Sequence, residues 1–194
     1  MQNYLNKLSN LYYMFNKLLV EFEKHDQARE AVIISSRGVI KLSKKIISAV
    51  HRNNIEDAEK YKIDIEKELS DMREKKDKAK TGSYSMAVQE YIEAILFLEY
   101  AKSGKILTSD DFNCTPDEYI MGLCDFVGEL QRRSVIKVSK GDREEIKKIY
   151  VDVSNIYDGL LNFSFRGEVR KKFDLVKYVM VRLEEIVLTL NLKK

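Results

Sequence analysis

From Tyr4 to His51 the chain contains no proline and a single glycine, Gly38. Strands and loops are punctuated far more often than this, whereas a helix runs on undisturbed. Apolar residues at Leu8, Leu11, Phe15, Leu18, Leu19 and Phe22 recur at three- and four-residue steps, and Ala28, Val32, Val39, Leu42, Ile46 and Val50 continue them. That is helical spacing, and it predicts one long helix or two nearly continuous ones. The rest of the 194 residues is also poor in breakers, with eight glycines and one proline in the whole sequence. A β-sandwich needs many turns and a doubly wound α/β fold needs a loop after every strand, so both are disfavoured.

The later segments read the same way. Asn53 and Asn54 offer a cap for a second helix carrying Ile55, Ala58, Tyr61, Ile65, Leu69 and Met72, whose end, Arg73 to Lys80, is strongly charged. Thr81-Gly82-Ser83 is a break, and a third helix runs to Ser103, where Gly104 stops it. The connection to Cys114 has room for one helical turn. In Thr115-Pro116-Asp117-Glu118 the threonine caps, the proline takes the first helical position and the glutamate reaches back. The only proline therefore begins a fourth helix, which runs to Lys140. Asp142 caps a fifth, ending near Asn162, and a sixth carries Val169, Phe173, Val176, Val179, Met180, Leu183, Ile186, Val187 and Leu190. The expected architecture is an all-α single helical bundle of six to seven helices, one domain over residues 1–194.

No run approaches the ~20 apolar residues of a membrane span, and the N-terminus lacks the pattern of a signal peptide. Cys114 and Cys124 stand ten apart without a CxxC partner, which reads as two reduced thiols in a cytoplasmic protein. A net charge of +3 does not by itself announce a polyanionic partner. There is no nucleophile elbow, phosphate loop or dinucleotide fingerprint. His25 and His51 are isolated, without metal-site spacing, so surface or capping roles are expected for them.

Two pairs of acids stand out. Glu90 and Glu93, in Gln89-Glu90-Tyr91-Ile92-Glu93-Ala94, are i, i+3 on a stripe shared with Met86, Ala87, Ala94 and Phe97. Asp125 and Glu129 are i, i+4, and Asp125 has Gly122 and Gly128 on its own side. A helix tolerates two such glycines, each costing about 1 kcal/mol relative to alanine, where a neighbour must come close. The plain readings are carboxylates at the rim of an apolar face, ion pairs with a neighbouring helix, and packing through small residues. If instead the two helices face one another, as an antiparallel pair could, four carboxylates converge and repel. Divalent cations with oxygen ligands, Mg²⁺ or Mn²⁺, are the natural compensation, and such a site can activate water against a phosphodiester. Basic residues stud the second half of the first helix, among them Arg29, Arg37 and Lys41, and Arg132, Arg133 and Lys137 follow Glu129. Cations beside an acidic metal site suit a polyanionic substrate, although a solvated mixed-charge face would look similar.

These segments together resemble the translin family, specifically its translin-associated factor X branch. The resemblance rests on Lys24-His25-Asp26, Arg29-Glu30, Arg37, Ser43-Lys44 and His51-Arg52, on the acidic helix Gln89 to Ala94, on Tyr119 to Leu130, on Gly141-Asp142, and on Arg170 to Tyr178. It implies a helical bundle and Mg²⁺-dependent endoribonuclease activity on single-stranded RNA. It places the metal on Glu90, Glu93, Asp125 and Glu129. It further implies a homo-oligomer forming a closed hollow assembly, and allows a separate translin-type subunit as partner. The compact form suggests an archaeal-type homologue. The family's histidine- and arginine-rich nucleic-acid segment is not apparent near Ser83 to Ala87, so Arg29, Arg37, Lys41, Arg132, Arg133 and Lys137 are the expected RNA contacts. The rival expectations are a non-catalytic single-stranded RNA/DNA-binding oligomer of the translin type, and a helical scaffold that binds no nucleic acid.

Overall fold

A computed structural model describes residues 2–76 and 82–192. Six α-helices and one short 3-10 turn follow one another: α1 Gln2–His51, α2 Ile55–Lys76, α3 Gly82–Ser103, the turn Ser109–Asp111, α4 Pro116–Lys140, α5 Arg143–Leu160 and α6 Gly167–Leu192. Among the described residues there is no strand and no helix long and apolar enough to cross a membrane. Residues 77–81, which include the expected break at Thr81 and part of the charged end of α2, lie outside the described residues.

The caps act where the residue types place them. Asn54 accepts from the Asp57 amide at 3.1 Å and starts α2. Thr115 accepts from the Glu118 amide at 3.3 Å while Glu118 accepts from the Thr115 amide at 2.9 Å, both halves of the box at the start of α4. Asp142 accepts from the Glu145 amide and starts α5. Gly104, at φ +69°, ends α3 with its amide on the Tyr100 carbonyl.

α1 is a single helix of 50 residues, about 75 Å at the usual rise. Among the described side chains, those of its second half pack within the chain and those of 10–22 do not. Val32, Val39, Ile46, Ala49 and Val50 are buried in the common core, whereas Leu11, Phe15, Leu18, Leu19 and Phe22 are exposed. The apolar spacing from Leu11 to Phe22 therefore marks a helix without marking a core of this chain; the side chain of Leu8 lies outside the described ones. Met86 is likewise exposed, so it does not belong to the buried stripe of Ala87, Ala94 and Phe97.

Paired contacts fix the helix directions. Gly122 lies on Gln89 and Ile92, and Phe126 lies on Tyr100, so α3 and α4 run in the same sense. The antiparallel arrangement considered from the sequence is not the one adopted. The connection after Gly104 makes this possible by returning along the bundle, where Phe112 packs between Tyr91 and Tyr119. The charge of Lys44 acts on Glu90 and the His51 ring packs on Phe97, so α1 shares that sense. Lys172 meets Asp125 and Ile186 lies beside Val138, so α6 shares it too. α2 and α5 run the opposite way. Lys62 pairs with Glu99 while Glu59 pairs with Lys102, and Arg133 pairs with Glu145 while Ile156 stands by Leu123.

Candidate metal and nucleic-acid site

The four co-directional helices enclose a cleft of about 560 Å³. α3 supplies Glu90 and Glu93, and α4 supplies Cys124, Asp125, Gly128, Glu129 and Arg132. α1 contributes Lys44, Ile47 and Ser48, and α6 contributes Lys172, Leu175 and Val179. The two acid pairs are thus brought together on one cleft.

The glycines of α4 have separate tasks. A Cβ on Gly122 would stand 2.8 Å from the Gln89 carbonyl oxygen and 2.8 Å from the Ile92 side chain. Gly122 therefore lets α3 and α4 approach until their acids share one cleft. Gly128 meets nothing within 4 Å and lines the open space itself. Packing through small residues and an acid site are here the same arrangement.

The carboxylates differ in their surroundings. Glu93 is 9% exposed. Burial, together with the charges of Asp125, Glu90 and Glu129, pushes its carboxyl up to about 8, against only the distant relief of Lys172. Burial also raises Glu90, with Asp125 adding to the rise and Lys44 and Lys172 opposing it. Asp125 is raised by burial but held back by the Lys172 ammonium, which donates to its carboxylate. Glu129 accepts from Nε2–H of His51 and has Arg132 at 3.7 Å. His51 is not the isolated surface group expected. Its side chain is only 6% exposed, it packs on Phe97 with ring centroids 4.7 Å apart, and it holds one of the four acids. The available signal was its place seven residues after Lys44, on the same face of α1. Lys172 lies within the Arg170 to Tyr178 stretch that carries the resemblance, but was not expected in the site.

The expected RNA-contact residues separate into three groups. Arg132 is exposed and lines the cleft. Lys41 lies on a basic shelf with Lys44, Lys45, Arg52 and Tyr61, contiguous with the cleft through Lys44 and Ser48. Arg37 is exposed on α1, and Arg29, also exposed, is paired with Asp26 at 3.4 Å; neither lines the cleft. Arg133 and Lys137 point away from it and must be reassigned. Arg133 is buried against Glu145, and Lys137 bridges Asp142, at 3.2 Å, and Glu145. Residues one and five positions beyond Arg132 fall on the face of α4 that packs on α5. Their charges are spent on that contact. Both cysteines are free thiols; Cys124 lines the cleft, with burial pushing it up to about 12.

Among the described residues no three Asp, Glu, His or Cys side chains stand as a ready-made ligand group. The reason is visible in the pairing, because Asp125 is turned to Lys172 and Glu129 to His51. The donor set nevertheless fits a hard dication. The four carboxylates offer oxygen alone, and no hydrogen bond or ion pair among the described residues reaches Glu93.

The fold and cleft define an all-α bundle with an acid-lined channel between parallel-running helices. The sequence pattern of the Translin family matches residues 27–194, and the chain belongs to that family. An uncharacterized protein of Methanocaldococcus jannaschii is 27% identical over 190 residues, covering 92% of this chain and 84% of its own length. Translin-associated protein X of Pongo abelii is 22% identical over 238 residues, covering 97% of this chain and 81% of its own. Among solved structures, a chain of the AfC3PO–duplex RNA complex superposes with a TM-score of 0.79 at 25% identity, covering 93% of this chain and 98% of its own.

Proposed function

We propose that this chain is a divalent-cation-dependent endoribonuclease of the translin-associated factor X type, archaeal in form. Glu90, Glu93, Asp125 and Glu129 would hold Mg²⁺, or Mn²⁺ in its place. The observation that carries the reading is the convergence of these four acids from α3 and α4 on one cleft, with Glu93 buried there and without a cation of its own. A buried carboxylate among three others is costly unless positive charge is brought to it. The RNA in the AfC3PO complex supports nucleic acid as the polyanion, as does the basic shelf leading into the cleft.

A bound dication would supply Lewis acidity, making water a better nucleophile and neutralising charge on the phosphoryl oxygens. The remaining roles belong to the chain. Lys41, Lys44, Lys45 and Arg52 would hold the phosphates of the incoming strand, and Arg132 those leaving the cleft. Gly128 would leave room for the backbone of the RNA against α4. His51 holds one oxygen of the Glu129 carboxylate and would leave the other for the cation. The expected substrate is single-stranded RNA, the expected assembly a homo-oligomer enclosing it, and a translin-type subunit is the alternative partner.

The test is cleavage of single-stranded and duplex RNA by purified protein in Mg²⁺ and in EDTA. The reading expects cleavage of the single strand, lost in EDTA and reduced on the order of a hundredfold or more in Glu93→Ala. Undiminished cleavage by Glu93→Ala removes that residue from the site. Salt-sensitive retention of intact RNA in both conditions replaces the enzyme with the non-catalytic binding oligomer.

A further inference from the structure

The cation nearest the acid cluster is part of the chain. Lys172, near the start of α6, is about a quarter exposed and donates to the Asp125 carboxylate from inside the cleft. Its charge also bears on Glu90 and Glu93. Lys44 acts on Glu90 from the exposed face of α1, and Arg132 and His51 are engaged with Glu129. Among the described residues, Lys172 is the cation whose charge bears on Glu90, Glu93 and Asp125 together.

We propose that Lys172 is a built-in counter-cation that holds the acid cluster in its cation-free arrangement and competes with the divalent metal for Asp125. The inference rests on the metal-site reading above. Asp125 cannot present the same oxygen both to an ammonium and to a dication, because the two positive charges would repel at contact distance. Lys172 holds Oδ2 of Asp125, so a dication drawn to either oxygen of that carboxylate meets the repulsion of the ammonium. Metal binding therefore favours release of Lys172, whose flexible four-carbon stem lets the ammonium swing out while α6 stays in place. The apolar anchors of that helix, Phe173 and Val176, are buried in the core and do not depend on the pair. Once released, the ammonium stays at the mouth of the cleft, within reach of a phosphate of the bound strand. Lys172 would then be a positioning residue for Asp125 in the free protein and a substrate contact in the loaded one.

The competition has a readout that needs no turnover. Mn²⁺ binding is measured by the loss of the free-ion electron paramagnetic resonance signal for the wild type, Lys172→Met, Lys172→Gln and Glu93→Gln. Thermal melts in EDTA establish that each variant is folded. Both Lys172 variants are expected to bind Mn²⁺ more tightly, on the order of tenfold, the scale on which one adjacent charge alters a carboxylate's affinity for a cation. With Mn²⁺ saturating, the same variants are expected to bind single-stranded RNA more weakly than the wild type. Unchanged or weaker Mn²⁺ affinity in both Lys172 variants overturns the competition. If Glu93→Gln loses Mn²⁺ in that same experiment, the metal site stands and only the role of Lys172 fails. Wild-type Mn²⁺ affinity in Glu93→Gln, or no Mn²⁺ bound by any variant, removes the metal site and the inference with it.

Discussion

Glu93→Gln should make the cation-free protein more stable while disabling the site. The side chain lies in the floor of the cleft, and its carboxyl is pushed from 4.5 to about 8 by burial and then by Asp125, Glu90 and Glu129. A folded state that holds a proton more tightly than the unfolded chain loses stability as pH rises between those two values. At pH 4 both states are mostly protonated and the acid has little effect. At pH 7 the unfolded chain has gained about 3 kcal/mol from ionising this group, which the folded protein has not, and above pH 8 the difference approaches about 5 kcal/mol. Glutamine preserves the shape and cannot ionise, so the substitution removes the unfolded-state gain. For a chain of this length about 3 kcal/mol corresponds to roughly 6–12 °C in Tm. Melts of the wild type and Glu93→Gln in EDTA at pH 5, 7 and 9 should therefore diverge progressively, the variant melting higher. Added Mg²⁺ should narrow the gap, because a ligand that binds only the folded wild type raises its stability by mass action. A variant equal to or below the wild type at pH 9 in EDTA would refute the uncompensated-carboxylate argument.

Two further contrasts separate the tasks of neighbouring residues. Gly122→Ala should destabilise by about 1–3 kcal/mol, because its Cβ meets the Gln89 backbone, whereas Gly128→Ala, with nothing within 4 Å, should hold or gain up to about 1 kcal/mol; urea denaturation checks both. Arg132→Ala should weaken RNA binding across sequences and lower the salt slope by about 1, while Arg133→Ala should lower stability and leave that slope unchanged; binding titrations at several salt concentrations read the difference.

Much of the helix order was legible because it depends on local chemistry. The Thr115 box, the Asp142 cap and the stop at Gly104 are decided within a few residues, and each acts where its residue type predicts. The acid pairs were legible for a similar reason, since i, i+3 and i, i+4 spacing fixes a shared face before any partner is known. Helix direction was not, because nothing within α3 or α4 records which way the neighbour runs; the return path through Phe112 sets that. Arg132 and Arg133 look alike in sequence, yet one helical step of about 100° places the first on the cleft and the second against Glu145. His51 and Lys172 escaped notice as site residues because their partners, Glu129 and Asp125, lie 78 and 47 residues away. The exposed apolar half of α1 shows the converse. Helical periodicity reports an amphipathic surface, and from Leu11 to Phe22 the described residues leave this one uncovered.

The co-directional arrangement also dictates the order in which the protein comes into being. Lys44, Glu90, Asp125 and Lys172 belong to four separate helices, so no hairpin contains the cleft. During synthesis α1 to α4 emerge first and set the anionic groups side by side, and the lysine that relieves Asp125 arrives only with α6. A nascent chain halted after α5 would carry the mutual repulsion without its internal relief. The cleft therefore cannot be complete before α6 has been synthesised.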